Sequence, residues 1–331
     1  MKKIPQIIAQ NLDGLFVVGG AVRDIILGME PKEYDLITTT AFEKIKFKTF
    51  KESKTGETVG AFIKGVKYDI SRYESLDYDL KRRDFTINSM AFPVHKNGEI
   101  LIFHVVDPTN GIEDLKNKVL RSFNPYENIK SDPVRILRGL RFISNYDLDV
   151  EEKTFTAMKT FMPLVQKISK ERLFTPLDGF VKGKYFSKAS QIAKTLNLEA
   201  YLGIPPVNFE IADKVDHQCR WQAIFVKTKS TDIFKEKVFP PSKIIKSIMR
   251  INDFVNQIEN QRYDWTIKIK DEETECLCQI LAIFKIDPGI VRKRMSIKLE
   301  VTPEMLKKRN IEGKEIAKKM IEMWKDILNQ R

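Results

Sequence analysis

The sequence predicts a mixed α/β head, an α+β arrangement of helices on a mixed sheet, followed by an elongated all-helical body. Three observations lead there. Short apolar runs broken by glycine turns crowd the first third of the 331 residues. From about Pro133 onward, apolar residues recur at helical spacing with few strand-like alternations. A chain of this length is also long for one domain, which suits a head with further units behind it.

The elements follow in order. Leu15-Phe16-Val17-Val18 reads as a short buried strand ending in Gly19-Gly20, and a helix runs from Ala21 to Leu27 and stops at Gly28. Residues 59–70 read as a hairpin with Gly65 near its turn. Residues 86–94 and 100–106 suggest two more strands, separated by Lys96-Asn97-Gly98. Ile136, Leu137, Leu140 and Ile143 then mark one face of a helix, and further helices are expected over 152–162, 186–196, 241–257 and 311–328. Gly203-Ile204-Pro205-Pro206 and Phe239-Pro240-Pro241 punctuate the helical half as loops and candidate seams. No repeat, low-complexity linker or P-loop interrupts the pattern.

Composition narrows the class. With 42% hydrophobic and 31% charged residues, the chain is too apolar for a disordered tail and too charged for a membrane protein. No uninterrupted apolar run is long enough to span a bilayer. The opening MKKIPQIIAQNLDG lacks the apolar core and cleavage site of a secretion signal, so a cytoplasmic location is expected. Three cysteines (Cys219, Cys276, Cys278) exclude a disulfide scaffold, and with three histidines they make a poor zinc inventory. The 57 Lys and Arg outweigh 45 Asp and Glu, a net +12. That excess suits a polyanionic partner, whose counterions it would release, but a lysine-rich background explains it equally well.

Four constellations carry chemistry. At the first strand-to-helix turn, Gly19-Gly20 lets backbone N–H groups approach a phosphate, and Arg23 on the first helical turn can add charge-assisted bonds. Plain turn chemistry would look the same. In Glu33-Tyr34-Asp35, alternation along an extended segment aims two carboxylates at one place. Such a pair repels itself unless a hard divalent ion such as Mg²⁺ lies between, although a solvated pair at a turn is the blander alternative. Arg82-Arg83-Asp84-Phe85-Thr86-Ile87-Asn88 offers donors for phosphate and acceptors for ribose hydroxyls, or a surface ion-pair cluster. In Ser131-Asp132-Pro133-Val134-Arg135, Ser131 or Asp132 can cap a helix whose first turn suits Pro133. Asp132 and Arg135 there stand three residues apart and present an acceptor beside a planar donor fork. That pair can bond a base edge as a complementary base would, or simply bond within its helix.

The segments VGGAVRDIILGMEPKEYDLIT, KRRDFTINSMAF, DPTNGIEDL and SDPVRILRGLRF, in that order and spacing, resemble class II tRNA nucleotidyltransferases. This family comprises the bacterial and eukaryotic CCA-adding enzymes and the bacterial poly(A) polymerases. The similarity is clear over residues 14–175 and faint beyond.

The resemblance implies a head of the DNA polymerase β-like nucleotidyltransferase fold over 1–120. A helical neck over 121–190 would carry a nucleobase-reading helix, and a helical body and tail over 191–331 would bind the acceptor–TΨC arm of tRNA. It implies that Gly19, Gly20 and Arg23 hold the triphosphate and that Glu33 and Asp35 bind catalytic Mg²⁺. Arg82, Arg83, Asp84 and Asn88 would contact ribose and phosphates. Asp107, Gly111 and Asp114 match the head–neck connecting motif. Asp132 and Arg135, with Arg138 one turn on, match the protein template that selects CTP or ATP.

Three positions depart from the family pattern. Glu33 replaces the usual first Asp of the metal pair, with Asp69 as a candidate third carboxylate; Ser131 replaces the Glu that opens the template motif; and Pro176 stands at the second Glu of the later Glu-Arg-x-x-x-Glu motif. A deletion says more. Arg72-Tyr73-Glu74 runs straight into Ser75-Leu76-Asp77-Tyr78-Asp79-Leu80, where CCA-adding relatives carry a long flexible segment. In the family that segment is associated with switching from C to A, and CC-adding members have it shortened. The expectation is therefore a CC-adding enzyme that uses CTP and leaves the terminal A to a separate A-adding enzyme. The alternatives are a full CCA-adding enzyme that also uses ATP, a poly(A) polymerase, and a degenerate tRNA-binding protein. The basic run Lys307, Lys308, Arg309, Lys314, Lys318 and Lys319 could contribute tRNA contacts or form a solvated helix face.

Overall fold

The computed structural model describes residues 3–51, 58–228, 230–259, 269–289 and 291. The expected helix over 311–328 and the basic run at 307–319 lie outside them. The chain divides into two compact units, Met1–Lys167 and Ile168–Arg331.

The first unit is built on a six-stranded sheet. Its strands are β1 (Phe16–Val18), β2 (Glu33–Thr38), β3 (Phe50–Lys51), β4 (Thr58–Ile63), β5 (Val66–Arg72) and β6 (Ala91–Pro93), in the order β3-β4-β5-β2-β1-β6. Within this sheet, among the described residues, the β2–β5 pair is parallel and the other pairs are antiparallel. Alternation along the strands divides the two faces. Val17, Tyr34, Leu36, Tyr68 and Ile70 join the main core. Residues of opposite parity on β1 and β2, Val18 and Ile37, belong to a second, smaller cluster. Glu33 and Asp35 share that second face with Ile37, and Lys67 and Asp69 lie on it from β5.

The helices of this unit are α1 (Gln6–Asn11), α2 (Gly20–Ile26), α3 (Leu76–Lys81), α4 (Gly111–Lys116), α5 (Pro125–Ser131), α6 (Val134–Tyr146) and α7 (Glu152–Phe161). The expected strand, Gly-Gly turn, helix and hairpin are all present. Gly19 takes φ +71°, where a side chain would be strained. Helix α6 buries Ile136, Leu137, Leu140 and Ile143 completely, each such burial being worth about 2 kcal/mol.

Two expectations fail locally. Of the strands expected over 86–94 and 100–106, only Ala91–Pro93 forms; Thr86–Asn88 and Ile102–His104 are single 3₁₀ turns. The reason is where the backbone donors go. Thr86 N–H bonds to the Arg121 carbonyl and Asn88 N–H to the Phe85 carbonyl, so neither is free for a ladder. Ala91–Val106 and Val94–Ile100 bridges are what remains of the pairing. At α6, Ser131 is the last residue of α5 and donates to the Asn128 carbonyl, while Pro133 takes the cap position without a side-chain cap.

The second unit is helical among its described residues: α8 (Phe174–Lys182), α9 (Phe186–Thr195), α10 (Leu198–Leu202), α11 (Phe209–Ala212), α12 (Arg220–Phe225), α13 (Thr231–Val238), α14 (Ser242–Glu259) and α15 (Asp271–Ile283). Pro176 sits in the first turn of α8, where its missing N–H breaks no bond. Aromatic packing holds the centre: the Phe225 ring centre lies 4.6 Å from that of Phe234, which lies in turn 5.1 Å from that of Trp221, both pairs tilted. Arg220 is buried and donates to the Val181 and Gly183 carbonyls at 2.9 and 2.6 Å. The cysteine count gave no sign of a cross-link, yet Cys219 and Cys276 form a disulfide that joins the start of α12 to α15; Cys278 is a buried thiol outside that bond. No described helix is long and apolar enough to cross a membrane.

Candidate functional site

The site grows from the turn between β1 and α2. A Cβ placed on Gly19 would stand 3.2 Å from both Asp35 Oδ2 and Arg83 Nη1, so this backbone passes directly between an acid and a guanidinium. Antiparallel pairing of Val18 with Asp35 brings the carboxylate there. Solvent still reaches the Asp35 side chain, yet the protein packed around its carboxyl raises the pKa. Arg83 opposes that shift, and the charges of Glu33 and Asp69 add to it.

Asp69 stands beside Asp35 in the parallel β2–β5 register, and Lys67 stands beside Glu33. The Lys67 ammonium lies 3.0 Å from Asp69 Oδ2, while Asp69 Oδ1 is buried with no hydrogen-bond partner. Mutually repelling carboxylates with an orphaned oxygen among them suit a divalent cation. Among the described residues no three His, Cys, Asp or Glu side chains close into a ready-made metal cage. Oxygens from a bound phosphate would have to complete one.

Arg23, on α2, is held on several sides. Its Nη1 donates to Asn88 Oδ1 at 2.6 Å, and Nε and Nη2 donate to Asp24 Oδ1 at 3.1 and 2.8 Å. Asn88 passes the connection on: its Nδ2 donates to Asp84 Oδ1 at 3.1 Å, and Asp84 Oδ2 pairs with Arg138 Nη2 at 2.7 Å. The Gly-Gly turn, the Arg82–Asn88 segment and α6 are thus one polar chain. Burial alone would raise the Asp84 pKa, but Arg138, the Asn88 amide and the Phe85 N–H outweigh it and the net shift is downward.

Helix α6 lines the far side. Arg135 Nη1 donates to the Asn128 carbonyl at 3.0 Å, and Asp132 lies close enough to favour its charged form. Burial, reinforced by Arg138, lowers the pKa of Arg135; burial, reinforced by Arg138 and Arg23, lowers that of Arg141. A cluster of guanidinium groups that disfavour one another is a place where an anion is stabilised.

The structure separates the paired arginines. Asp79 receives both, Arg82 at 2.9 Å and Arg83 at 2.9 Å, but Arg82 is mostly exposed while Arg83 reaches toward Gly19. Asp107 and Asp114 stand behind the site as braces. Asp107 accepts from the Gly111 and Ile112 N–H groups, and Asp114 accepts from Thr86 Oγ1 at 2.7 Å and from Arg121.

Three residues of this framework escaped the sequence reading. Asp79 stands three and four residues before the arginines it holds, a readable helical signal. Arg141 continues the three-residue spacing of Arg135 and Arg138. Asn128, which fixes the Lys81 and Arg83 carbonyls, has no signal, since its partners are backbone groups distant in sequence.

Comparison with known proteins places this geometry. Residues 15–74 and 61–121 match the family described as Poly A polymerase head domain. The chain is 30% identical over 278 residues to the CCA-adding enzyme of Streptococcus mutans, a match covering 74% of this chain and 65% of that enzyme. It is 36% identical over 177 residues to the CC-adding tRNA nucleotidyltransferase of Halalkalibacterium halodurans, covering 52% and 45%. The chain thus spans slightly under two thirds of the first relative and under half of the second. Among solved structures, the Bacillus stearothermophilus CCA-adding enzyme in complex with CTP superposes with a TM-score of 0.76 at 22% identity, covering 99% of this chain and 91% of that one. The Thermotoga maritima CCA-adding enzyme complexed with tRNA gives 0.69 at 20% identity, covering 96% and 92%. Residues 15–121 of this chain are thus similar to the poly A polymerase head-domain family, 74% of the chain aligns with a CCA-adding enzyme, and its fold is that of CCA-adding enzymes of known structure.

Proposed function

We propose that this protein is a tRNA nucleotidyltransferase that adds two cytidines from CTP to the tRNA 3′ end without a nucleic-acid template. The observation that carries the reading is the convergence on Gly19, where an acid from β2 and a guanidinium from the Arg82–Asn88 segment pack against the glycine turn. In the reaction the tRNA 3′-hydroxyl loses its proton and its oxygen bonds to the α-phosphorus of CTP. The α–β bridging bond breaks and pyrophosphate leaves. Divalent metal ions, Mg²⁺ foremost, held by Glu33 and Asp35 with Asp69 as third carboxylate, would supply the Lewis acidity such a transfer needs. Gly19, Gly20 and Arg23 hold the triphosphate, Arg83, Asp84 and Asn88 set the sugar, and Asp132 with Arg135 reads the base while Arg138 anchors the helix that carries Arg135. Arg82, turned outward, is left for phosphate from the tRNA side.

On this reading the division of labour is a catalytic head over 1–120, a neck over 121–190, and a body and tail over 191–331 that grip the tRNA acceptor arm by its backbone. The setting is the cytoplasm, where a Cys219–Cys276 bond would be unusual. The restriction to CC rests on the junction after β5. Only Tyr73, Glu74 and Ser75 separate Arg72 from α3, with the Tyr73 N–H fixed to the Thr38 carbonyl and Ser75 capping α3. A relative named for CC addition supports it. A second reading, complete CCA addition with ATP as well, is favoured by the S. mutans relative.

The test offers tRNA lacking its last three nucleotides, and tRNA ending in CC, with Mg²⁺ and either labelled CTP or ATP. Two C additions to the first and no A addition to the second are expected, a separate A-adding enzyme finishing the end. Efficient A addition to the CC-ended tRNA would establish the second reading instead.

A further inference from the structure

Helix α6 touches the site at both ends. Arg135, Arg138, Phe142 and Tyr146 fall on one stripe of it, three or four residues apart. Arg138 meets Asp84 of the Arg82–Asn88 segment and Arg135 bonds the Asn128 carbonyl, while the last two lie under Arg23: its guanidinium carbon is 4.6 Å from the Tyr146 ring centre and 5.3 Å from that of Phe142. Tyr146 also donates from its hydroxyl to Asp24 Oδ1 at 3.4 Å, the oxygen that Arg23 itself grips. That contact is long, so the ring face is the stronger of the two.

The cage leaves two donors unclaimed. Of the five N–H groups of Arg23, Asn88 and Asp24 take three. The two that remain belong to Nη1 and Nη2, which lie 3.9 and 3.4 Å from where a Cβ would stand on Gly20. The unclaimed donors therefore border the Gly-Gly turn. About 16 Å of helix separates Arg135 from Tyr146, so one rigid rod spans from the base-reading pair to the arginine at the phosphate end.

We infer that Tyr146 is a positioning residue for Arg23: its ring holds the guanidinium with two donors facing the triphosphate, and ties that placement to the base-reading helix. The inference rests on the assignment of Arg23 to the triphosphate proposed above. Tyr146 touches no reacting atom; it acts through Arg23.

The test measures equilibrium binding of CTP and of CMP, in Mg²⁺ and without tRNA, to wild type, Tyr146→Leu, Tyr146→Met, Tyr146→Phe and Arg23→Ala, and to Tyr146→Leu in the Arg23→Ala background. Removing the ring should weaken CTP about three- to tenfold and leave CMP, which lacks the outer phosphates, within about twofold. Tyr146→Phe, which keeps the ring, should bind CTP within about twofold of wild type. In the Arg23→Ala background, Tyr146→Leu should add nothing. Equal loss of CTP and CMP in both ring-less variants would mean general loosening and overturn the inference. So would unchanged CTP binding in Tyr146→Leu while Arg23→Ala weakens it. Unchanged CTP binding in Arg23→Ala itself would overturn the triphosphate assignment underneath.

Discussion

Asp84 and Arg138 form an ion pair at 2.7 Å that fastens the Arg82–Asn88 segment to helix α6. Asp84 is buried; Arg138 is partly solvated, so the pair is worth less than a fully buried one. The same carboxylate accepts from Asn88 Nδ2 and from the Phe85 N–H.

A depressed carboxylate pKa sets the pH behaviour. The stability it confers is fully present above the ordinary aspartate pKa of about 3.9 and is lost as pH falls through the lower folded value. Asp84→Asn should therefore cost about 1–2 kcal/mol in urea melts at pH 7. The gap to wild type should close as the pH is taken well below 4. A constant gap from pH 7 to pH 3 would show that the carboxylate charge contributes nothing.

Gly111 opens α4 directly against the backbone of Thr86: a Cβ there would lie 2.1 Å from the Thr86 carbonyl oxygen. A backbone atom cannot swing aside as a side-chain tip can. Gly111→Ala should cost about 3 kcal/mol or more despite alanine's better helix propensity of about 1 kcal/mol. Chemical denaturation reads the difference, and a neutral or stabilising result would contradict this packing.

These braces show what the sequence could and could not carry. The Gly19 turn and the Glu33–Asp35 alternation were legible because a positive φ and a period of two are local properties. Residues 86–106 looked like strands because apolar content is local too, whereas Arg121, which claims the Thr86 N–H, is 35 residues away. Asp79 was half legible through helical spacing; Asn128 was not, since an asparagine bonding carbonyls 45 and 47 positions back leaves no pattern.

The Cys219–Cys276 disulfide belongs to the same illegible class, with partners 57 residues apart. Closing a loop of that length removes unfolded-chain entropy worth about 4 kcal/mol in the chain-entropy treatment. Reducing agent, or Cys276→Ser, should lower the melting temperature of the second unit while CTP affinity in the first is unchanged. Identical melting curves with and without reductant would mean that the bond does not form in solution.

Asp35 is the residue on which the catalytic reading turns, held beside Arg83 at the Gly19 backbone with Glu33 and Asp69 near. The most direct measurement is single-turnover incorporation of labelled CTP into tRNA lacking its last three nucleotides, for wild type and Asp35→Ala, with tRNA affinity measured in parallel. The geometry predicts incorporation by wild type and a loss of at least about a thousandfold in Asp35→Ala, with tRNA affinity within about twofold. An Asp35→Ala protein that still extends tRNA at a wild-type rate would contradict it.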